Sequence, residues 1–226
     1  MEKNMKYLLF ILFLFSGACY YANPDTCALP WPEGVVRYTF WQVSQEDQNA
    51  TKKIFDDITK DTEGLIKFEE TQEFGDGILH IGTVDSSQFQ GLSTVEGYRK
   101  HKFMGMILAN FNKRTVTHEL GHSLGLMHEH QRKDRDLYIS INWSECDSLG
   151  MAQQFLYRKS KFYNYKDFAY DYKSVMHYTE EEAYIIDSRG HELGGETFSV
   201  IDKQKLRSIY ADEAKKQISL FNSERA

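Results

Sequence analysis

A chain of 226 residues, 41% hydrophobic and 14% aromatic, is long enough to bury one sizeable core or the two lobes of a single catalytic unit. Its net charge of −6 is mild and spread out, with no basic tract, which argues against nucleic acid as a partner. The strongly apolar stretch Tyr7 to Phe15, behind Lys3 and Lys6, is too short to cross a bilayer but has the length of a signal-peptide core.

Small residues Ser16–Gly17–Ala18 follow that stretch, so residues 1–18 read as an export signal, with cleavage as late as residue 22 also allowed. The protein is therefore expected to be secreted, or periplasmic or surface-bound in a bacterium. Cys19 beside the cleavage site leaves a second reading open, an N-terminal lipid on that cysteine. No other membrane attachment is expected. With Cys19 removed or lipidated, Cys27 and Cys146 remain, and a secreted protein can pair them.

After Pro30, the β-branched and aromatic run Val35 to Trp41 predicts a first strand. Ser44 with Asp47 three residues on predicts a helix cap. Ala50, Ile54 and Ile58 then place one face inward, and Gly64 ends the helix. Leu65–Phe68 and Ile78–Gly82 read as short strands. Residues 91–98 suit an edge strand and Phe103–Ala109 an interior one. Strands alternating with a long helix imply a largely parallel sheet. A further helix begins near Asn112 or Thr115. Residues 129–170 are loop-rich and aromatic, and Trp143, Phe155, Phe162, Tyr163, Tyr165 and Phe168 are expected mostly to pack a second lobe. Ser199 to Tyr210 reads as a capped helix with Leu206, Ile209 and Tyr210 inward, and the polar tail from Asp212 could extend it.

The chemistry concentrates in residues 118–128, HELGHSLGLMH. Positions four apart on a helix share a face, so His118 and His122 can hold one zinc ion between them. Glu119 is one step round, placed to take a proton from water that the metal activates. Gly125 falls where the helix should stop, and the chain can return to offer His128 as a third nitrogen. Three neutral nitrogens leave one coordination position open, the mark of a catalytic rather than a structural site. One zinc ion per chain is expected. His80, His101 and His191 have no partner spacing and read as ordinary surface or core residues.

That stretch, followed by Glu129, Arg132 and Asp134–Arg135–Asp136, resembles the signature of the astacin family of metzincin zinc endopeptidases, HExxHxxGxxHExxRxDRD. Ser174–Val175–Met176–His177–Tyr178, after Tyr170–Asp171–Tyr172, resembles the family's Met-turn and its zinc-proximal tyrosine. The likeness extends weakly from Trp31 to Tyr210. It implies an α+β, two-lobed catalytic domain over residues 23–212, with 213–226 as a polar tail. The N-terminal lobe would hold a twisted, mostly parallel five-stranded sheet and two long helices. The C-terminal lobe would have little regular structure and a terminal helix.

The resemblance further implies a secreted zinc endopeptidase. His118, His122 and His128 would be metal ligands, Glu119 the general base, and Tyr178 a donor to the oxyanion. Met176 would form an apolar floor under the metal, with His177 and His130 hydrogen-bonded structural residues. A protein or peptide substrate would lie extended in the cleft along the sheet's edge strand. The alternative is a catalytically silent binding module on the same fold. Arg132, Asp134, Arg135 and Asp136 would form a structural ion-pair network.

Two departures from the family stand out. Its four disulfide cysteines correspond here to Leu65, Leu92, Asn110 and Asp212 or nearby, with Cys27–Cys146 as a replacement bridge. A Cys27 thiolate capping the zinc is the lesser alternative. About a dozen residues between the signal site and Trp31 are too few for the family's inhibitory propeptide, and Asp25 there reads better as a turn residue. Glu129 matches a family glutamate that meets the α-amino group freed on maturation. A buried glutamate without a cationic partner would be costly, so the mature α-amino group is expected near Glu129.

Overall fold

A computed structural model describes residues 28–85, 90–148, 151–179, 184–187 and 189–223. The predicted signal segment, Cys19, Asp25 and Cys27 lie outside them.

β1 spans Val35–Trp41, as the β-branched and aromatic run predicts, with Val36 and Tyr38 buried and Arg37 between them exposed. Helix α1, Gln45–Asp61, starts at the expected cap, where the Ser44 hydroxyl accepts the Asp47 N–H at 3.1 Å. Its buried face is Thr51, Ile54, Phe55 and Ile58, and Ala50 is exposed. The expectation for Ala50 fails because a four-residue step overshoots a full turn by about 40°, so two such steps from Ile58 carry it off the face. Phe55 stacks on Phe68 with ring centroids 4.0 Å apart.

The remaining strands are β2 (Lys67–Glu70), β3 (Leu79–Thr83), β4 (Gly91–Ser93) and β5 (Met104–Leu108), in the sheet order β2-β1-β3-β5-β4. All neighbours run parallel except β4, which pairs antiparallel with β5 through Gly91↔Leu108 and Ser93↔Met106. β2 and β3 begin later than predicted. For β2 the cause is the helix-ending turn, which uses the intervening residues: Leu65 N–H donates to Thr62 O and Ile66 N–H to the Thr62 hydroxyl. β4 lies at the sheet edge, as predicted for residues 91–98, but only its first three residues join the ladder.

Helix α2 covers Lys113–Ser123 and buries Val116 and Leu120 in the same core as the sheet and α1. Beyond it the chain forms short 3-10 turns, a two-strand ribbon of β6 (Ser140–Ile141) and β7 (Ile185–Ile186), and the short helix α3 (Trp143–Ser148). A second, smaller core holds Ile139, Cys146, Phe155, Tyr170, Ile185 and Leu193. Of the six aromatics expected to pack this lobe, Phe155 is fully buried in it. Phe162 and Tyr163 instead pack on the first core, and Trp143 is exposed. Helix α4, Val200–Ser223, opens with Ser199 and Asp202 capping each other's backbone and continues through the polar tail. Leu206, Ile209 and Tyr210 point inward as expected. The Trp31 indole donates to Ser123 O at 2.9 Å and the Tyr210 hydroxyl to Leu124 O at 3.2 Å, so both chain segments clamp the end of α2.

Candidate metal centre

α2 is built to present one polar face to the cleft. Asn112 caps it, accepting the Thr115 N–H at 2.8 Å, and the helix stops at Leu124. Gly125 then takes φ +99°, a conformation that strains any other residue, and a Cβ there would stand 2.8 Å from the Phe162 ring. The reversal brings His128 back over the helix. Its Nε2 lies 3.0 Å from Nε2 of His118 and 3.0 Å from Nε2 of His122.

The second nitrogens define the tautomers. His118 Nδ1 donates to Val175 O at 2.7 Å and His122 Nδ1 to Leu126 O at 3.1 Å, which leaves their Nε2 atoms as lone-pair donors. Such nitrogens packed together repel unless a cation lies among them. Three ligands of a tetrahedral zinc ion would stand about 3.3 Å apart at usual Zn–N lengths, so the donor set fits zinc to within a few tenths of an ångström. Burial, and then neighbouring positive charge, pushes His118 down to about 3 and His122 down to about 4, and holds His128 well below the usual imidazole range. The triad is thus already in the neutral form that metals require. Among the described residues, these three histidines form the one cluster suited to a metal ion.

Glu119 is 7% exposed, and burial raises its carboxyl to about 8, partly offset by the Ser93 backbone N–H. It lies against the edge strand β4: a Cβ on Gly91 would come within 2.7 Å of Glu119 Cγ. Gly91 therefore makes room for the carboxylate at the sheet edge. Tyr178 stands beside the triad, its ring centroid 4.8 Å from that of His128 and 4.1 Å from that of His130. Met176 packs beneath α2, where a Cβ on Gly121 would meet its sulfur at 2.4 Å. His177 bonds to the Tyr170 hydroxyl at 2.8 Å and to Tyr178 O at 2.7 Å, and His130 lies 3.2 Å from Gln154 O, both hydrogen-bonded as expected. His80 is buried and stacked on Phe103, His191 pairs with Asp187, and His101 is exposed; none approaches the triad cluster.

Three histidines, a carboxylate and the outermost strand of the sheet among the described residues thus meet in one place. The model of the peptidase family Astacin matches residues 25–211. The chain belongs to the astacin family. It is 32% identical over 151 residues to zinc metalloproteinase nas-8 of Steinernema carpocapsae, covering 66% of this chain and 34% of that protein. It is 34% identical over 153 residues to zinc metalloproteinase nas-11 of Caenorhabditis elegans, covering 65% of this chain and 25% of that protein. The match thus spans about a quarter to a third of these relatives' length. The fold is shared with high choriolytic enzyme 1, a hatching enzyme zinc-protease of the medaka Oryzias latipes, at TM-score 0.63 and 21% identity, covering 86% of this chain and 99% of that one.

Within this astacin fold, the reason behind one expectation fails, while the expectation itself falls on residues outside the described ones. Glu129 does not lack a cationic partner. Its Oε2 accepts Lys205 Nζ at 2.6 Å, and its Oε1 accepts Arg132 Nη1 at 2.8 Å and the Asp171 N–H at 3.0 Å. The argument that placed the α-amino group at Glu129 rested on an unpaired buried charge, and no such charge exists; the N-terminus itself lies outside the described residues. Of the predicted ion-pair network, Arg132 bridges Asp134 at 2.9 Å and Glu129 at 2.8 Å, while Arg135 and Asp136 pair at 3.2 Å apart from it.

Three supporting residues were not singled out from the sequence. Asp202 accepts the Ser174 hydroxyl at 2.7 Å and the Val175 N–H at 3.1 Å. Lys205 holds Glu129, and Arg114 donates to His177 O at 2.9 Å and to Gly195 O. Ser199 and Asp202 at cap spacing were a visible signal for the helix start, but nothing local points Asp202 at the Met-turn. Cys146 is buried in the second core, and its proposed partner Cys27 lies outside the described residues.

Proposed function

We propose that the protein is a secreted zinc-dependent endopeptidase. The observation that supports it best is the convergence of three imidazole Nε2 atoms and a buried carboxylate that bonds the edge strand β4. Zinc held by His118, His122 and His128 would supply a Lewis acid that lowers the pKa of water and polarises a peptide carbonyl. Glu119 takes the proton of the attacking water and passes it to the leaving amine. Its elevated pKa in the bare site is consistent with that role, since it ionises fully only when a cation lies close by and is then poised as a base.

Tyr178, next to His128, donates its hydroxyl to the oxyanion that develops on the cleaved carbonyl. β4 is the outermost strand of the sheet among the described residues, and the outward backbone groups that Glu119 leaves unused can bond an extended peptide, which selects for polypeptide without selecting strongly for sequence. Export agrees with the apolar N-terminal stretch, and among the described residues no helix is long and apolar enough to cross a membrane.

A casein assay with and without 1,10-phenanthroline tests the reading, with zinc content measured in parallel. About one zinc per chain and proteolysis that the chelator abolishes and added Zn²⁺ restores are expected. Full activity in metal-free protein would sink the assignment, and zinc without proteolysis would favour a silent binding module.

A further inference from the structure

Glu129 and Lys205 are both about 1% exposed, so neither charge is solvated. A lysine is rarely buried to this degree unless it answers a specific charge. Here it answers the residue that directly follows a metal ligand. The Glu129 backbone N–H is bonded to Met176 O at 3.0 Å, so this one residue links the third histidine to the Met-turn as well as to α4. Three residues earlier on the same helix, Asp202 holds Ser174 and Val175, and the Val175 carbonyl orients His118. The first two turns of α4 therefore reach both sides of the triad. One path runs from Asp202 through Val175 to His118, and the other from Lys205 through Glu129 to His128.

We propose that Lys205 is a positioning residue, whose ammonium is the permanent counter-charge for Glu129. Through Glu129 it sets His128, so the metal centre assembles without a free α-amino group. The inference rests on the zinc site proposed above. Lys205 Nζ also stands 4.0 Å from Asp202 Oδ1, but its close contact is Glu129 Oε2 at 2.6 Å. Among the described residues, the other cation at Glu129, Arg132, is divided among Asp134, Phe168 O and Ala169 O as well, so it cannot by itself replace the ammonium at Oε2. A lysine held within the fold is present from the moment α4 docks, whereas an α-amino group depends on where the chain has been cut.

The test uses the full chain and reads zinc affinity by chelator competition and the visible spectrum of the Co²⁺-substituted protein, neither of which requires proteolysis. Lys205→Met should weaken zinc binding by roughly 10–100-fold, the usual effect of losing a partner behind a metal ligand, and should alter the Co²⁺ bands. Lys205→Arg should restore most of both. The double variant Glu129→Gln/Lys205→Met removes the charge and its counter-charge together, and should bind zinc more tightly than Lys205→Met alone. A short polar N-terminal extension should change neither zinc affinity nor Tm. Parent-like zinc affinity in Lys205→Met, strictly additive effects in the double variant, or a tenfold loss on N-terminal extension would each overturn the proposal. If Lys205→Met does not fold, recovery of folding and zinc binding in the double variant still supports the proposal, and a double variant that also fails to fold, or Lys205→Arg without zinc, overturns it. Absence of proteolysis in a parent that binds zinc would count against the endopeptidase reading alone.

Discussion

Replacing Glu119 with glutamine should stabilise the metal-free protein while silencing the zinc-loaded one. Burial raises the Glu119 carboxyl from 4.5 to about 8 in the folded chain. A carboxyl whose folded pKa is raised imposes no penalty below pH 4.5. Above it the unfolded state ionises first, and stability falls until the folded value is passed. Each pH unit between the two costs ~1.4 kcal/mol, so by pH 7 the metal-free parent is destabilised by about 3 kcal/mol. Glutamine has nearly the same shape, can still accept the Ser93 N–H, and carries no charge to desolvate. At roughly 2–4 °C per kcal/mol for a domain of this size, metal-free Glu119→Gln should melt roughly 6–12 °C above the parent at pH 7. Near pH 5 the gap should shrink to about 2–3 °C, and the depressed histidines cancel because both proteins share them. Adding zinc should also close the gap, because a nearby cation lets the parent carboxylate ionise in place. The assay is thermal unfolding of chelator-treated protein across that pH range, with kcat measured after zinc is restored. Equal melting temperatures at pH 7, or near-parent kcat in zinc-loaded Glu119→Gln, would refute the reasoning.

Other substitutions probe the surroundings. Tyr178→Phe should retain zinc and lose roughly 10²–10³ in kcat with little change in KM, as expected for a donor that acts on a developing oxyanion; an unchanged kcat would return Tyr178 to a packing role beside His128, His130 and Phe155. Gly121→Ala places a methyl group 2.4 Å from the present Met176 sulfur position. The Met-turn must shift, at a cost of about 1–3 kcal/mol, and because Val175 O orients His118, zinc affinity should fall with the melting temperature. A parent-like Tm in that variant would show that the sulfur moves aside freely.

Much of the site was legible before any coordinates. The triad lies within eleven residues whose geometry is that of one helix and its stop, so helical period and one glycine were enough to join His118, His122 and His128. The same holds for β1 and for the helix caps at Ser44, Asn112 and Ser199, where donor and acceptor are three residues apart. Ala50 marks the limit of that reasoning. A four-residue spacing names a face only to within the angle by which it overshoots the turn, and Thr51 fills the place expected of Ala50.

What the tertiary structure alone decided is how buried charges and aromatic rings find partners. Glu129 and Lys205 are 76 residues apart, and no local period or motif brings them together. The pairing exists because α4 packs Leu206 and Tyr210 into the first core and thereby carries Lys205 to the back of the metal site. For the same reason Phe162 crosses to the N-terminal lobe, where Gly125 leaves room for its ring, while Phe155 stays in the second core. Composition shows only that most of the aromatic rings will be buried. It is the folded path of the chain that determines what they meet, and so whether a charge beside a metal ligand waits for a chain terminus or is satisfied from within.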